Sequence, residues 1–497
     1  MSPEWIELRC DILILGSGGA GLMAALHAYD ADPKLDIIVA AKGLVGKSGC
    51  TQLVQGGFNA ALDPRDSPEL HFQDTVAGGQ FLNDQELAWV LVSEAPDAVR
   101  KLETKVGCFF DRGEDGLIHQ KAFAGQSFDR TVHRGDLTGI EIIGRLRDQL
   151  FARRIQILDE TRAVELLHDR TGARIAGALL LSQRTGAFIL ARARVVLLAT
   201  GGGPRMYTYS APSLEKTGDG YAMAYVAGCV LIDMEMMQFH PTGLLAGASR
   251  LSGMVLEEGL RGAGARLFNA RGERFMARYD PVRLERATRD LVARASYLEI
   301  TAGRGTPAGG VLLDASHLGP AFVARNFPGM VRRCAGAMAA QPDEGEARQA
   351  QQAARAPLGR ERGEDPFEIR AQLQRTMWEH VGLLREQAGL ERALAAIGEL
   401  EERAGRAAAP AGARWNLTWQ QVLDVRSLLT AARLTTTAAL HRRESRGSHA
   451  RRDFPDRDDA RWLVNVCQAR GRTPWTEPVR LCRLGPDDLR TPQAARS

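Results

Sequence analysis

The chain has 497 residues, 44% hydrophobic and 25% charged, which is the composition of a globular protein of two or three domains. Its net charge of +4, on 64 basic and 60 acidic residues, gives no reason to expect a nucleic-acid partner. Seven scattered cysteines without a C-x-x-C pair, no apolar run near ~18 residues and no leader pattern at the N-terminus point away from a metal site, membrane insertion and secretion, and toward a cytoplasmic place.

The first predicted element is a buried parallel strand, the apolar run Cys10 to Leu15. Gly16, Gly18 and Gly21 follow as G-x-G-x-x-G, with Gly19 between them, and Ala20 to Asp30 has helix composition. In that pattern the first glycine permits a tight turn, the second lets a pyrophosphate approach the backbone, and the third lets the helix pack on the strand. The phosphate then rests on the helix N-terminus. A glycine-rich turn alone is a weak signal, but here the strand precedes it and the helix follows. The second strand, Leu35 to Ala41, ends on Ala41 and Lys42 instead of the acidic residue that grips an NAD ribose, so a flavin dinucleotide held by other contacts fits better.

Further along, Ser48, Cys50, Thr51, Gln55, Gly56 and Gly57 form a glycine-rich loop where backbone can approach a flat ring. A second buried strand ends in Thr200, Gly201 and Gly202, and Asp219 opens an alanine-rich helix within T-G-D-G. Each alone reads equally as a turn or a helix cap. In this order, after the first turn, they indicate FAD. The stretch 365–440 carries apolar residues at helical spacing, among them Leu373, Met377, Leu390 and Ile397, and predicts a three-helix bundle. The stretch R-R-E-S-R-G-S-H-A-R-R-D (442–453) is dense in charge and by composition is a solvated loop.

These motifs, with Q-F-H-P-T-G (238–243), E-G-L-R-G (258–262), G-E-R-F-M (272–276) and R-D-L-V-A-R (289–294), resemble the succinate dehydrogenase/fumarate reductase flavoprotein family, which includes L-aspartate oxidase. The resemblance implies an α/β fold. It has a Rossmann-like FAD domain (1–233), an inserted α+β capping domain (234–334, truncated), a linker with a remnant helix (335–364) and a C-terminal helical bundle with a charged tail (365–497). It also implies hydride transfer between flavin N5 and a C4 dicarboxylate. Carried over by position, Arg289 is the proton donor, Glu258 and Arg261 are its relay, and His240 and Thr242 meet substrate and flavin. A separate iron–sulfur subunit is the implied electron partner. L-aspartate oxidase is the alternative activity. Read without the family, Arg289 and Asp290 are a helix-surface pair, Glu257 and Glu258 a solvated helix start, and His240 a packed loop histidine.

Three departures stand out. Glu257 replaces the family's threonine, placing a second carboxylate where a dianion should bind. Cys50 stands where members with covalent flavin have histidine, implying non-covalent FAD. After Cys334 the chain passes directly to the small residues Ala335 to Ala340. The family's H-[FY]-x-M-G-G segment, its strand ending Gly-Glu and its H-G-A-N-R-L-G-G-N loop are absent. The missing strand predicts a parallel sheet with an unpaired edge, and the missing histidine and arginine take away half of the substrate clamp. A catalytically impaired, internally deleted form with an interaction role is therefore the reading from another class. Arg446 and His449 receive no catalytic role.

Overall fold

Six strands form the main sheet. β1 (Trp5–Leu15) pairs in parallel with β2 (Ile37–Ala40) on one side and with a long strand, Phe188–Leu198, on the other. The computed structural model describes residues 5–123, 125–245, 253–256, 258–327, 357–358, 360 and 363–489. Between β2 and the long strand the chain makes a small sheet from β3 (Phe58–Asn59), β4 (Gln120–Lys121) and β5 (Thr131–Val132). It then adds β6 (Gln156–Leu158), β7 (Thr161–His168) and β8 (Ile175–Ser182). The long strand is β9, and the sheet order is β6-β2-β1-β9-β8-β7, with β7 and β8 antiparallel. The expected α/β class is observed.

Alternation along β1 and β2 builds a core on each face. Ile14, Ile37 and Val39 pack with Leu22 of the helix Gly19–Ala31 and with Ile143 and Leu146 of the helix Thr138–Ala152. Leu13, Leu15, Ile38 and Ala40 pack on the other face with Leu180, Ala191 and Met223. β1 begins five residues before the apolar run that announced it. β9 is long enough to pair with Trp5 to Arg9 as well, from Trp5 opposite Phe188 to Leu15 opposite Leu198, and Arg192 Nε reaches Glu7 at 2.7 Å.

β8 matches only part of β9. It pairs with Phe188 to Arg192, whereas β1 pairs along the whole strand. From Ala193 to Leu198 no other strand among the described residues lies against the side of β9 away from β1. Val195 is 54% exposed there, and Leu197 and Leu198 are 39% and 36% exposed. Among the described residues this edge is unpaired, as the sequence leads one to expect, while the Cys334–Ala335 junction itself lies outside them.

The C-terminal bundle forms as the spacing predicts, from helices Pro366–His380, Gln387–Gly405 and Leu417–His441. Leu373, Met377, Leu390, Ile397, Val425 and Leu428 are fully buried between them. Pro366 occupies the first turn, where its missing N–H costs no helical bond, and Asp365 caps that turn through Phe367 N–H at 2.9 Å.

The charged stretch after the bundle is a correction to its composition. Arg442, Glu444, Arg446, His449 and Arg451 are buried. Arg442 bonds Glu235 at 2.5 Å, Asp233 at 3.1 Å and Glu444 at 3.1 Å, and Arg385 reaches Glu235 O at 2.9 Å and His449 Nδ1 at 2.7 Å. Burial is tolerated because each guanidinium fork meets carboxylates or carbonyls. Beside it β10 (Leu231–Ile232) pairs with the C-terminal strand Val464–Gln468. Together they anchor residues 231–235, immediately before the 238–243 motif.

Candidate active site

The first turn is built as its glycines require. Gly16 has φ +116°, and a Cβ there would lie 2.2 Å from Ala199 O; on Gly21 it would lie 2.0 Å from Gly16 O. On Gly18 a Cβ would approach only Thr51 Oγ1, at 3.5 Å, and Gly18 opens the helix without a side-chain cap. Thr51 Oγ1 instead accepts from Gly19 N–H at 2.9 Å, tying the 48–57 loop to the helix start. A cleft here is lined by Gly16, Gly18, Lys42, Ser48, Gly49, Thr200, Glu215, Lys216 and Asp219.

The 48–57 loop also carries an orphaned amide. Gln55 is buried, and neither its Nε2 nor its Oε1 has a partner among the described residues. It precedes Gly56, on which Phe123 packs so closely that a Cβ would meet its ring, and Gly57, whose φ is +125° and whose Cβ would strike Val132 O. An unpaired buried amide is costly, and a polar ring edge laid on this loop would satisfy it. The uncapped helix start, side-chain-free backbone and orphaned amide fit an FAD. A Gly16→Ala chain is expected to lose at least about tenfold in FAD affinity, because the backbone turn must shift and the helix start with it; flavin absorbance retained after gel filtration measures this.

Two of the expected cofactor residues have other work. Lys42 Nζ donates to Thr217 Oγ1 at 2.7 Å, Asp219 Oδ2 at 2.8 Å and Asp424 Oδ1 at 2.7 Å. Arg162 closes the cluster, reaching Asp219 at 2.9 Å and Asp424 at 2.8 Å. Burial alone would push the Asp219 carboxyl up, but Arg162 and Lys42 together hold it well below the usual carboxylate range. Asp424 comes from the helix Leu417–His441, so the cluster staples the bundle to the nucleotide end. Neither Arg162 nor Asp424 lies in a recognisable motif, and only their distance in space from Lys42 identifies them. Gly201 lies under Lys216, whose Nζ donates to Thr200 O at 2.9 Å. Gly202 lies within reach of the Tyr221 hydroxyl, and Cys50 is half-buried with a free thiol.

The second cluster brings Glu258 between two arginines. Arg261 Nη2 lies 2.5 Å from Glu258 Oε1, and Arg289 Nη2 lies 2.6 Å from Glu258 Oε2, with Arg289 Nε at 2.7 Å. The carboxyl of Glu258 is 3% exposed and the Arg261 side chain is enclosed, whereas Arg289 is 37% exposed. Burial raises the Glu258 carboxyl, yet Arg289 and Arg261 outweigh it and leave it below its ordinary range. Burial also lowers Arg261 against the pull of Glu258. Arg261 Nη1 donates to Glu285 O at 2.7 Å, and Arg289 Nη1 donates to Gln238 Oε1 at 3.1 Å. Gln238 belongs to the 238–243 motif, but only this contact gives it a role.

The surface-pair reading of Arg289 fails: Asp290 pairs with Arg294 and Arg289 with Glu258. The solvated reading of Glu258 fails with it, and Glu257 lies outside the described residues. His240 Nδ1 lies 3.3 Å from both the N and the O of Thr242, so the Thr242 backbone holds that edge of the imidazole and leaves Nε2 to face elsewhere. Burial, with Arg289 nearby, pushes His240 down to about 4, so it is neutral at pH 7. Thr242 is buried and its hydroxyl donates to Leu256 O at 3.1 Å.

The chain matches the FAD binding domain family over residues 11–367 and the family described as "Fumarate reductase flavoprotein C-term" over 370–488. It is 38% identical to a fumarate reductase (CoM/CoB) subunit of Methanothermobacter marburgensis, covering 92% of this chain and 96% of that one. It is 30% identical to the succinate dehydrogenase flavoprotein subunit of Rickettsia bellii, covering 93% of each. The fold superposes on Escherichia coli quinol fumarate reductase with a TM-score of 0.87 at 26% identity, over 97% of this chain and 98% of that one. The alignment with the methanogen protein spans 534 positions, more than the 497 residues present here, so that relative carries residues without a counterpart in this chain. Among the described residues no helix is long and apolar enough to cross a membrane. The chain belongs to the fumarate reductase/succinate dehydrogenase flavoprotein family and is an FAD-dependent oxidoreductase of that family.

Proposed function

We propose that this chain interconverts a C4 dicarboxylate and its unsaturated partner, of the fumarate/succinate type, with Arg289 as the group that moves the proton. The observation that carries the proposal is Glu258 held at 2.5 and 2.6 Å between Arg261 and Arg289. Bound FAD would supply the hydride exchange, and Gly16, Gly18, Gly19, Gly21, Ser48, Thr51, Gln55, Gly56, Gly57, Thr200, Gly201 and Gly202 would hold it, with Lys42 and Asp219 bracing that end. Cys50 leaves the flavin non-covalent.

Arginine is a poor acid on its own, with a pKa above ~12. Its exposed Nη1 edge can give a proton to a substrate carbon only if Glu258 returns one to its Nη2 or Nε. Glu258 takes that proton in turn from Arg261 Nη2. Neutral His240 adds no second full charge beside a substrate carboxylate, and the Thr242 backbone fixes the position of its ring. The cationic edge of Arg289 stabilises charge that builds on the acceptor.

An iron–sulfur subunit is the proposed electron partner, and a cytoplasmic position the proposed place; both curated relatives are named as subunits. The test is fumarate-dependent oxidation of a reduced viologen dye by the FAD-loaded chain, with succinate and L-aspartate assayed in parallel. Fumarate turnover supports the proposal; peroxide formation from L-aspartate under air replaces it with the oxidase. A second reading, a catalytically impaired form with an interaction role, is favoured by the open edge of β9 and by the longer relative. A chain that cannot be loaded with FAD would establish that reading.

A further inference from the structure

We propose that Glu215 reads the adenosine ribose of FAD, supplying from the loop before the helix Asp219–Val226 the carboxylate that the end of β2 lacks. The proposal rests on the FAD reading of the cleft and not on the dicarboxylate chemistry. In a nucleotide-binding half of this kind the pyrophosphate rests on the first helix, and the ribose hydroxyls meet an acidic side chain at the end of the second strand. Here β2 runs from Ile37 to Ala40 and is followed by Ala41, Lys42 and Gly43, none of them acidic. The fold brings an acid to that place from far along the chain. A Cβ on Gly43 would lie 3.4 Å from Glu215 Oε1, and Glu215 lines the same cleft as Gly16, Gly18 and Ser48.

Among the residues that line the cleft, Glu215 and Asp219 carry carboxylates, and they differ in what their oxygens already hold. Asp219 Oδ2 takes Lys42 at 2.8 Å, and its Oδ1 takes Arg162 at 2.9 Å and the Thr217 hydroxyl at 3.0 Å. Glu215 Oε2 is shut off from solvent and has no partner among the described residues. A buried acceptor left without a donor is costly, and a sugar hydroxyl at the end of β2 would remove that cost. Arg205 does not fill the place. It meets the Glu215 charge only through space, while its Nε donates to Ser213 O at 3.2 Å and its Nη2 to Pro212 O. The loop that carries Glu215 is held by its neighbours. Lys216 Nζ donates to Thr200 O at 2.9 Å, Lys216 N–H to Ser213 O at 3.2 Å and Thr217 N–H to Glu215 O at 3.0 Å. Those contacts fix the loop, so the carboxylate is presented to the cleft at little entropic cost.

The probes are ADP, 2′-deoxy-ADP and 3′-deoxy-ADP, titrated into the full chain freed of flavin and followed by calorimetry. In the native chain at least one of the deoxy nucleotides is expected to bind at least about tenfold more weakly than ADP, since a site built to bond a hydroxyl rejects the analogue without it. Glu215→Ala should weaken ADP at least about tenfold and bring ADP and that analogue to equal affinity. Glu215→Gln, which keeps one acceptor, should fall between, and FAD retained through gel filtration should drop in the same order. The erased difference between ADP and its deoxy analogue is the deciding readout, because a merely structural role for Glu215 would leave it in place. Equal binding of all three nucleotides by the native chain would overturn the proposal. So would discrimination that survives in Glu215→Ala, or a native chain that binds none of the three. Nucleotide binding is measured without turnover, so failure of the fumarate assay and failure of this test are separate results.

Discussion

Replacing Arg289 by alanine in the FAD-loaded chain is expected to lower fumarate turnover by ~10²–10⁴, the range a positioned proton donor supplies. The argument rests on what else the side chain does. Its guanidinium is partly exposed and its partner Glu258 keeps a second arginine, Arg261, at 2.5 Å. Removing Arg289 therefore does not strand a buried carboxylate, and the thermal midpoint should move little. Arg289→Lys separates charge from proton transfer. Lysine keeps the cation but cannot fork onto Glu258 through two nitrogens. If Arg289 only attracts the dicarboxylate, lysine should preserve kcat and raise KM modestly. If it moves the proton, kcat should fall nearly as far as in alanine. Full kcat in the lysine variant would remove Arg289 from the chemistry. Glu258→Gln should also lower kcat, and it should lower stability too, because Arg261 is buried and would lose its only carboxylate at hydrogen-bond distance among the described residues.

Asp219→Ala is expected to destabilise the chain by about 3–5 kcal/mol, the cost of breaking a buried ion pair on one side. The variant leaves Lys42 and Arg162 facing each other with Asp424 as their shared carboxylate. Denaturant unfolding followed by fluorescence measures the loss. The pH dependence carries its own sign. An unfolded aspartate titrates near ~3.9, and the folded Asp219 carboxyl is held below that by Arg162 and Lys42. Its stabilisation is thus fully present above about pH 4 and is lost as pH falls through the folded value. The gap between wild type and variant should be flat from neutral pH down to about 5 and close in stronger acid. A gap that is absent at pH 7 would mean that the cluster is not a structural staple.

The nucleotide end was legible because each of its elements is local. Gly16 to Gly21 describes a turn whose geometry depends on residues a few positions apart, and the structure places the helix start within one residue of the reading. The bundle was legible for the same reason, since apolar spacing in one helix reports which face is buried. The relay needed more. Glu258 and Arg289 are 31 positions apart, and chemistry alone left them as surface charges; the motif resemblance paired them before the geometry did.

Lys42 and Asp219 show where local reading stops. Both sit in glycine-rich stretches that belong to a cofactor site, and both line the cleft, yet their charges are spent on Arg162 and Asp424. Likewise Gln55 gave no sign of being left without a partner, because an orphaned amide is a property of its surroundings. The stretch 442–453 went further: composition placed it in solvent, and the fold buries four of its charges, Arg442, Glu444, Arg446 and Arg451, among carboxylates and backbone carbonyls that include Asp233 and Glu235.

The sequence by itself determined the parts whose physics is short-range: the parallel strand and glycine turn, the cofactor class and the helical bundle. Tertiary structure alone decided which charges meet. Burial raises the cost of an unpaired charge, and only the folded chain determines whether a partner hundreds of residues away arrives to meet it. The edge of β9 needed both, an expectation drawn from the sequence and a sheet in which, among the described residues, β8 stops at Arg192.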